Sequence, residues 1–313
     1  MAQVDARVVL LAGTVLASLG GALTKLSETS SATATFFRCA LALPVLGVLA
    51  AREYRRLGML SRRTALFHAL GGIMLGIDMV LWASSIPKIG AGMASVIVSV
   101  QIVVAPVLAR VIRRTPIPRV FVSAAPFLLC GIALAGGVIG SPEVGGDLMV
   151  GTALALTSGV AYGVYVFIAG AVGSDDRAGS QVFLTTLFAG LVGLVVGGVG
   201  GTLDLTPGWV AFGWLVLLSL TTQVVGWFLI GRALPMLSAS VGSTILTVMP
   251  VSAVAAAMLI VGERPSLLQL VGCGMVVAAV GVVSRRRPGR TAQPAQMSPT
   301  VNPVGNGSVG SRT

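Results

Sequence analysis

Ile86-Pro87-Lys88-Ile89-Gly90-Ala91-Gly92 opens a stretch that continues as a long apolar run broken by Gln101 and Pro106, and leaves through Arg113-Arg114-Thr115-Pro116. The same order returns later as Leu234-Pro235-Met236-Leu237-Ser238-Ala239-Ser240, an apolar run broken by Pro250, and Gly262-Glu263-Arg264-Pro265. Each copy is a short proline-containing connection, a small-residue start, one interrupted apolar helix and a charged exit. A unit used twice, with a flaw in the middle of its helix both times, sets the fold and points to where function sits.

The chain around these copies is 313 residues long, 55% hydrophobic and only 10% charged, with a mean hydropathy of +0.95. That much apolar surface does not fit inside one soluble core, so the reading is an all-α integral membrane protein. The net charge of +11 does not indicate nucleic acid, because Lys and Arg fall in the gaps between apolar runs and form no continuous surface with interleaved aromatics. Cys39, Cys130 and Cys273 each stand alone in an apolar run and read as filler. There is no GxxxxGK phosphate loop, no spacing of His, Cys, Asp and Glu that suits a metal, and a single His, so no cofactor, metal or Ser-His-carboxylate chemistry is expected.

A spanning helix needs roughly 20 mostly apolar residues. Ten segments qualify: 8–24, 32–50, 66–84, 91–112, 120–140, 148–169, 180–201, 209–230, 238–260 and 266–284. Pro116, Pro118 and Pro265 mark two of the boundaries, since proline starts helices readily and disrupts their interiors. The first segment is read as a retained helix and not a cleaved signal, because segment six repeats its pattern. With the N-terminus inside, seventeen Lys and Arg residues fall on the cytoplasmic side and three, Lys25, Lys88 and Arg264, on the outer side. The cation bias therefore places both termini in the cytoplasm of a multi-pass inner or plasma membrane protein. Beyond Arg287 the chain turns to Pro, Gly, Ser, Thr and Asn and is expected to be disordered.

Gly13, Ala17 and Gly21 recur at every fourth position of segment one, and Gly151, Ala155, Gly159 and Gly163 do so in segment six. Each helix thereby gains one seam for close packing, and the recurrence at a constant offset supports a repeat. The division is 1–140 for a first five-helix half, 148–284 for a second and 285–313 for the tail. Five spans per half is an odd number, so the second half is inserted upside down. An inverted-topology repeat is an architecture of secondary transporters, with the substrate site near the midplane between the halves.

Here the chain resembles the drug/metabolite transporter superfamily, and specifically the EamA family of ten-helix permeases. The resemblance rests on the two five-helix halves, on Pro250 to Gly262-Glu263-Arg264-Pro265-Ser266 followed by Gln269 to Gly272 and Gly281, and on Ser238-Ala239-Ser240. The first half departs from the pattern: Gln101 stands where the counterpart of Pro250 would be, Pro106 follows five residues later, and Arg114 replaces the exit Glu. The resemblance implies an inner-membrane carrier, often an exporter of amino acids or other small metabolites, with peripheral fifth and tenth helices around a cavity lined by the others.

Two charged residues stand clearly inside the spans. A charge at bilayer depth costs about 2.5 to 3.5 kcal/mol on insertion scales, so each needs a partner or a task. Arg38 and Asp78 both lie about six residues, roughly 9 Å, below the outer boundary on adjacent antiparallel helices, where they can meet. A structural ion pair and a substrate anchor with its counter-ion or proton carrier are both open readings. Gln101 and Gln223 are candidates for substrate contact or for helix-joining hydrogen bonds. Tyr162, with Tyr165, sits deep in segment six, where a phenol needs a partner. Trp82 and Trp227 lie near span ends, as interfacial anchors or cavity lining. Pro106 and Pro250 are kinks or hinges for alternating access. His68 is expected to be solvated at the inner mouth, and Glu263 to sit in an exposed connection.

The sequence therefore predicts a secondary transporter of small metabolites, an exporter of amino acids or related organic solutes, coupled to a proton or to exchange, in the lipid bilayer as a monomer or homodimer. Multidrug or cationic-compound efflux and an integral-membrane enzyme acting on lipid-linked substrates are the alternatives. A non-transporting scaffold is the third, which would leave Arg38 and Asp78 as pure structure.

Overall fold

The computed structural model describes residues 5–114, 116–117, 119–135, 146–172, 177–233, 236–237 and 239–285. Pro118, most of the second connection from Leu234 to Ser238, and the tail beyond Arg285 lie outside them. Every regular element among the described residues is helical. In chain order these are α1 (Ala6–Leu26), α2 (Ser31–Leu57), α3 (Arg62–Ile89), α4 (Ala91–Arg113), α5 (Arg119–Ala135), α6 (Gly146–Val172), α7 (Ala178–Val199), α8 (Trp209–Ile230), α9 (Ala239–Leu246), α10 (Val248–Ile260) and α11 (Leu267–Arg285).

Among the described residues, seven helices are long and apolar enough to cross a bilayer: α1 to α4, and the bodies of α6, α7 and α8. The expected fifth, ninth and tenth spans appear as shorter apolar helices, Phe121–Ala135, Val248–Ile260 and Leu267–Val282. Trp209, Val199 and Leu259 are almost wholly exposed, and Val111, Ile112 and Leu267 largely so. An apolar surface of this extent suits lipid and not water. The chain is a multi-pass membrane protein.

Helix starts follow local chemistry. The Ser30 and Ser61 hydroxyls accept from the Thr33 and Thr64 amides, 3.1 Å in each case, and cap α2 and α3. The Ile86-Pro87 connection expected between the third and fourth segments is not a loop: α3 carries Pro87 inside its last turn and runs to Ile89. The chain turns instead at Gly90, whose φ of 87° is open to glycine and strained for other residues.

The small-residue seams do what their spacing implies. On α6, a β-carbon added at Gly151 would lie 2.7 Å from Ile89 Cγ2, at Gly159 2.8 Å from the Val98 carbonyl oxygen, and at Gly163 2.6 Å from Val104 Cβ. The seam of α6 therefore receives the end of α3 and the backbone of α4. On α1, Gly13 faces Leu229 and Ile230, and Gly21 faces Ala91 and Ser95, so this seam is shared between α8 and α4. Helices α5 and α11 meet through Gly131 and Gly272, and their exposed Val122, Phe127, Leu268 and Val271 point away from the bundle.

Besides short turns at Leu19 in α1 and at Leu41–Ala42 in α2, three irregularities interrupt the helices among the described residues. A 3-10 turn, Val98–Val100, precedes Gln101 in α4, and Pro106 sits inside the α-helical remainder. A π-helical turn, Ser219–Gly226, occupies the middle of α8. The third break, at Thr247, separates α9 from α10 and leaves Pro250 in the first turn of α10, where an absent N–H has no intrahelical partner to lose.

Candidate functional site

The site is assembled around one of these interruptions, the π-helical turn of α8. The π-helical turn of α8 packs its buried residues Ser219, Thr222 and Gln223 into the bundle, and such insertions commonly occur at functional positions because they re-aim side chains without ending the helix. The Ser219 hydroxyl donates to the Arg38 carbonyl at 2.8 Å, joining α8 to α2. From the same turn, Gln223 Oε1 accepts from Arg38 Nε at 3.1 Å, and Gln223 Nε2 donates to Thr186 Oγ1 of α7 at 3.3 Å. The amide is thus used at both ends and fixes the guanidinium through one edge only.

The other edge of Arg38 is free. Among the described residues no acceptor bonds to its terminal nitrogens, although the side chain is half-buried within a membrane bundle. Nη1 instead looks toward Gly20 of α1: a β-carbon there would lie 3.9 Å from it, 3.6 Å from Trp82 Cη2 and 3.7 Å from Thr222 Cγ2. The missing side chain at Gly20 leaves a methyl-sized gap beside a cation, with an indole and a threonine methyl as walls.

Asp78 is buried on α3 and accepts a 2.5 Å hydrogen bond from the Ser158 hydroxyl of α6. Arg38 and Asp78 lie on packed helices, α2 and α3. They do not form a contact ion pair: the described ion pairs within 4.0 Å are Lys25 with Glu263 and Lys88 with Asp147. Arg38 is engaged by Gln223 and Asp78 by Ser158, so cation and carboxylate are held apart, each by a neutral partner.

The remaining candidate residues are distributed. Tyr162 stacks edge-on against Tyr165 with ring centroids 5.5 Å apart, and both pack against Cys39, Leu75, Met79 and Ala189. Trp82 is half-buried against the large central apolar cluster, beside Arg38 and not at a span end facing solvent. Trp227 closes the π-helical turn and packs with Leu10 of α1 and with Ile230 and Ala233 just after it in the chain. Gln101 is half-buried, and its carbonyl lies 3.3 Å from where a Gly163 β-carbon would be.

Two positions differ from the sequence reading. His68 is not solvated: it is 7% exposed, because α3 continues past the expected span and carries it under neighbouring helices. Glu263 is not an exposed connector, for its carboxylate is folded back onto the start of α4. Ser158, Thr186 and Gly20 were not candidates from sequence. Small polar residues and glycines are frequent in every segment, and nothing local distinguished these three.

Sequence comparison bears directly on this bundle. The profile of the EamA-like transporter family matches residues 6–137 and again 149–285, most of the chain in two successive repeats. The chain belongs to the EamA-like transporter family. An EamA-like protein is a membrane transporter of small solutes, and the paired match explains why the chain shows its broken helix and its small-residue seam twice. None of the curated proteins compared with the chain matches it. A crystal structure described only as that of a protein is similar over 89% of this chain and 96% of its own, with a TM-score of 0.57 and 14% identity. That likeness concerns the fold of this EamA-like chain alone.

Proposed function

We propose that this EamA-like protein is a secondary transporter with ten spans in two inverted five-helix halves, exporting an amino acid or a related organic solute from the cytoplasm by alternating access. The observation that carries the reading is the unfilled edge of Arg38. A guanidinium kept inside a membrane bundle, fixed through Nε by Gln223 and offering its terminal nitrogens to a space bounded by Gly20 and Trp82, suits the carboxylate of a passing solute. Asp78, at a distance from it and held by Ser158, then serves the solute's cationic group or carries the coupling proton.

Purified protein in liposomes tests this. Uptake or counterflow of labelled amino acids that is lost in Arg38→Gln supports the proposal. Flux of lipophilic cations alone, insensitive to Arg38, would replace it with multidrug efflux, and chemical conversion of a lipid-linked substrate would replace it with an enzyme.

A further inference from the structure

The carboxylate of Glu263 ties together three separate parts of the bundle. Its Oε1 accepts from Lys25 Nζ at 2.8 Å and from the Ala91 amide at 2.7 Å, and its Oε2 accepts from the Gly92 amide at 3.2 Å. Lys25 lies in the last turn of α1, Ala91 and Gly92 begin α4, and Glu263 lies in the connection from α10 to α11. The contact therefore crosses from the second repeat to two helices of the first. The local backbone is shaped for it. Gly262 and Gly90 take φ values of 74° and 87°, the Glu263 amide donates to the Ala257 carbonyl at 3.1 Å, and a β-carbon on Gly90 would lie 2.8 Å from Glu263 Oε2.

Glu263 keeps 13% of its side-chain exposure, so its charged hydrogen bonds are partly shielded from water and salt, and two amides at a helix start, which have no intrahelical acceptor, add to the attraction for a carboxylate. The corresponding exit of the first repeat carries Arg114, not a carboxylate. Arg114 takes a left-handed conformation with φ 55° and is exposed, and its carbonyl accepts from Arg110 at 3.4 Å. At the arginine-rich end the carboxylate that bridges the repeats is instead Glu53 of α2, which accepts from the Gly179 and Ser180 amides at 2.8 and 2.7 Å at the start of α7.

We propose that Lys25, Glu263 and the Ala91–Gly92 amides form a latch that closes the end of the transporter opposite the arginine-rich loops, and that each transport cycle must break and remake it. This rests on the alternating-access reading, in which α1 and α4 must separate from the second repeat for the site beside Arg38 to open toward that end. Lys25 and Glu263 are positioning residues, acting on which side the site faces and not on solute contact.

The test uses full-length protein in oriented liposomes, with Cys39, Cys130 and Cys273 replaced by Ser and one reporter, Thr24→Cys, placed at a buried position one residue inside Lys25. A membrane-impermeant maleimide applied to the latch side should label the reporter slowly. Glu263→Gln and Lys25→Met should each accelerate labelling about tenfold, the weight of one charged hydrogen bond. The charge swap Lys25→Glu with Glu263→Lys should recover only part of the protection, since a lysine accepts nothing from the Ala91 and Gly92 amides. Unchanged labelling in both single variants, with the proteins monodisperse, overturns the latch. If Glu263→Gln fails to fold, Lys25→Met alone decides, because it leaves the helix cap in place. Labelling needs no known solute, so it separates the two ideas: a reporter that becomes accessible alternately from the two sides but ignores the latch variants rejects the latch. A reporter that never changes sides under any solute tried rejects alternating access.

Discussion

The chemistry of single residues turns on how few partners the buried charges have. Arg38 is fixed through Nε alone, and Lys, with no planar fork, could not both hold Gln223 and present two parallel donors. Arg38→Lys is therefore expected to raise KM for a carboxylate-bearing solute at least tenfold with the protein still folded, an effect of about 1.5 to 3 kcal/mol, read from initial rates in proteoliposomes. Gln223→Ala should produce a smaller rise in KM, because the guanidinium keeps its charge and loses only its orientation. Asp78→Asn keeps an oxygen for Ser158 and removes the charge. If Asp78 carries the coupling proton, flux driven by an imposed pH gradient disappears while solute counterflow persists. Equal pH-driven flux in wild type and variant would leave Asp78 with a structural or solute-binding role. Distances along two antiparallel segments predict an equal depth for Arg38 and Asp78. Their actual partners are not readable in that way, since Gln223 is 185 residues from Arg38 and Ser158 is 80 from Asp78.

At the level of elements, the glycine seams decide which helices touch. On α6 the space opposite Gly159 is filled by the backbone of Val98 and the side chain of Val100, and that opposite Gly163 by Val104. Gly159→Leu should lower the thermal midpoint in detergent through overpacking of about 1 to 3 kcal/mol or more. Gly170→Ala is the matched control: it lies on the same helix with nothing within 4 Å of an added β-carbon, and should leave the midpoint unchanged or slightly higher. The seams could be seen in the sequence because a spacing of four is a property of one helix. Their partners could not, because spacing says which face is small and not what approaches it. The breaks behave likewise. Pro250 announced an interruption and one occurs at Thr247, whereas the π-helical turn around Gln223 has no proline and no glycine until Gly226 and gave no local sign.

For the whole molecule, the paired family match and the cation bias make strong demands. Reporter fusions at the two termini should lie on the same side of the membrane, and that side should be the one bearing Arg52, Arg55, Arg56, Arg113 and Arg114. Termini on opposite sides would mean an odd number of spans and would remove the inverted repeat. Truncation after Arg287 should leave flux unchanged, because the tail is rich in polar and small residues and the family match ends at residue 285.

Composition alone required a bilayer, since 55% hydrophobic residues in 313 exceed what one soluble core can hide. Hydropathy and the duplicated broken helix pointed to apolar helices in two successive repeats, because apolar runs and a recurring motif are both written along the chain. Only the tertiary structure separated Arg38 from Asp78 and gave each a neutral partner. It also turned Glu263 from a loop residue into a bridge to Lys25 and the start of α4. Hydrogen bonds across a bundle depend on which faces meet, and helical periodicity along one chain segment carries no record of the segment opposite.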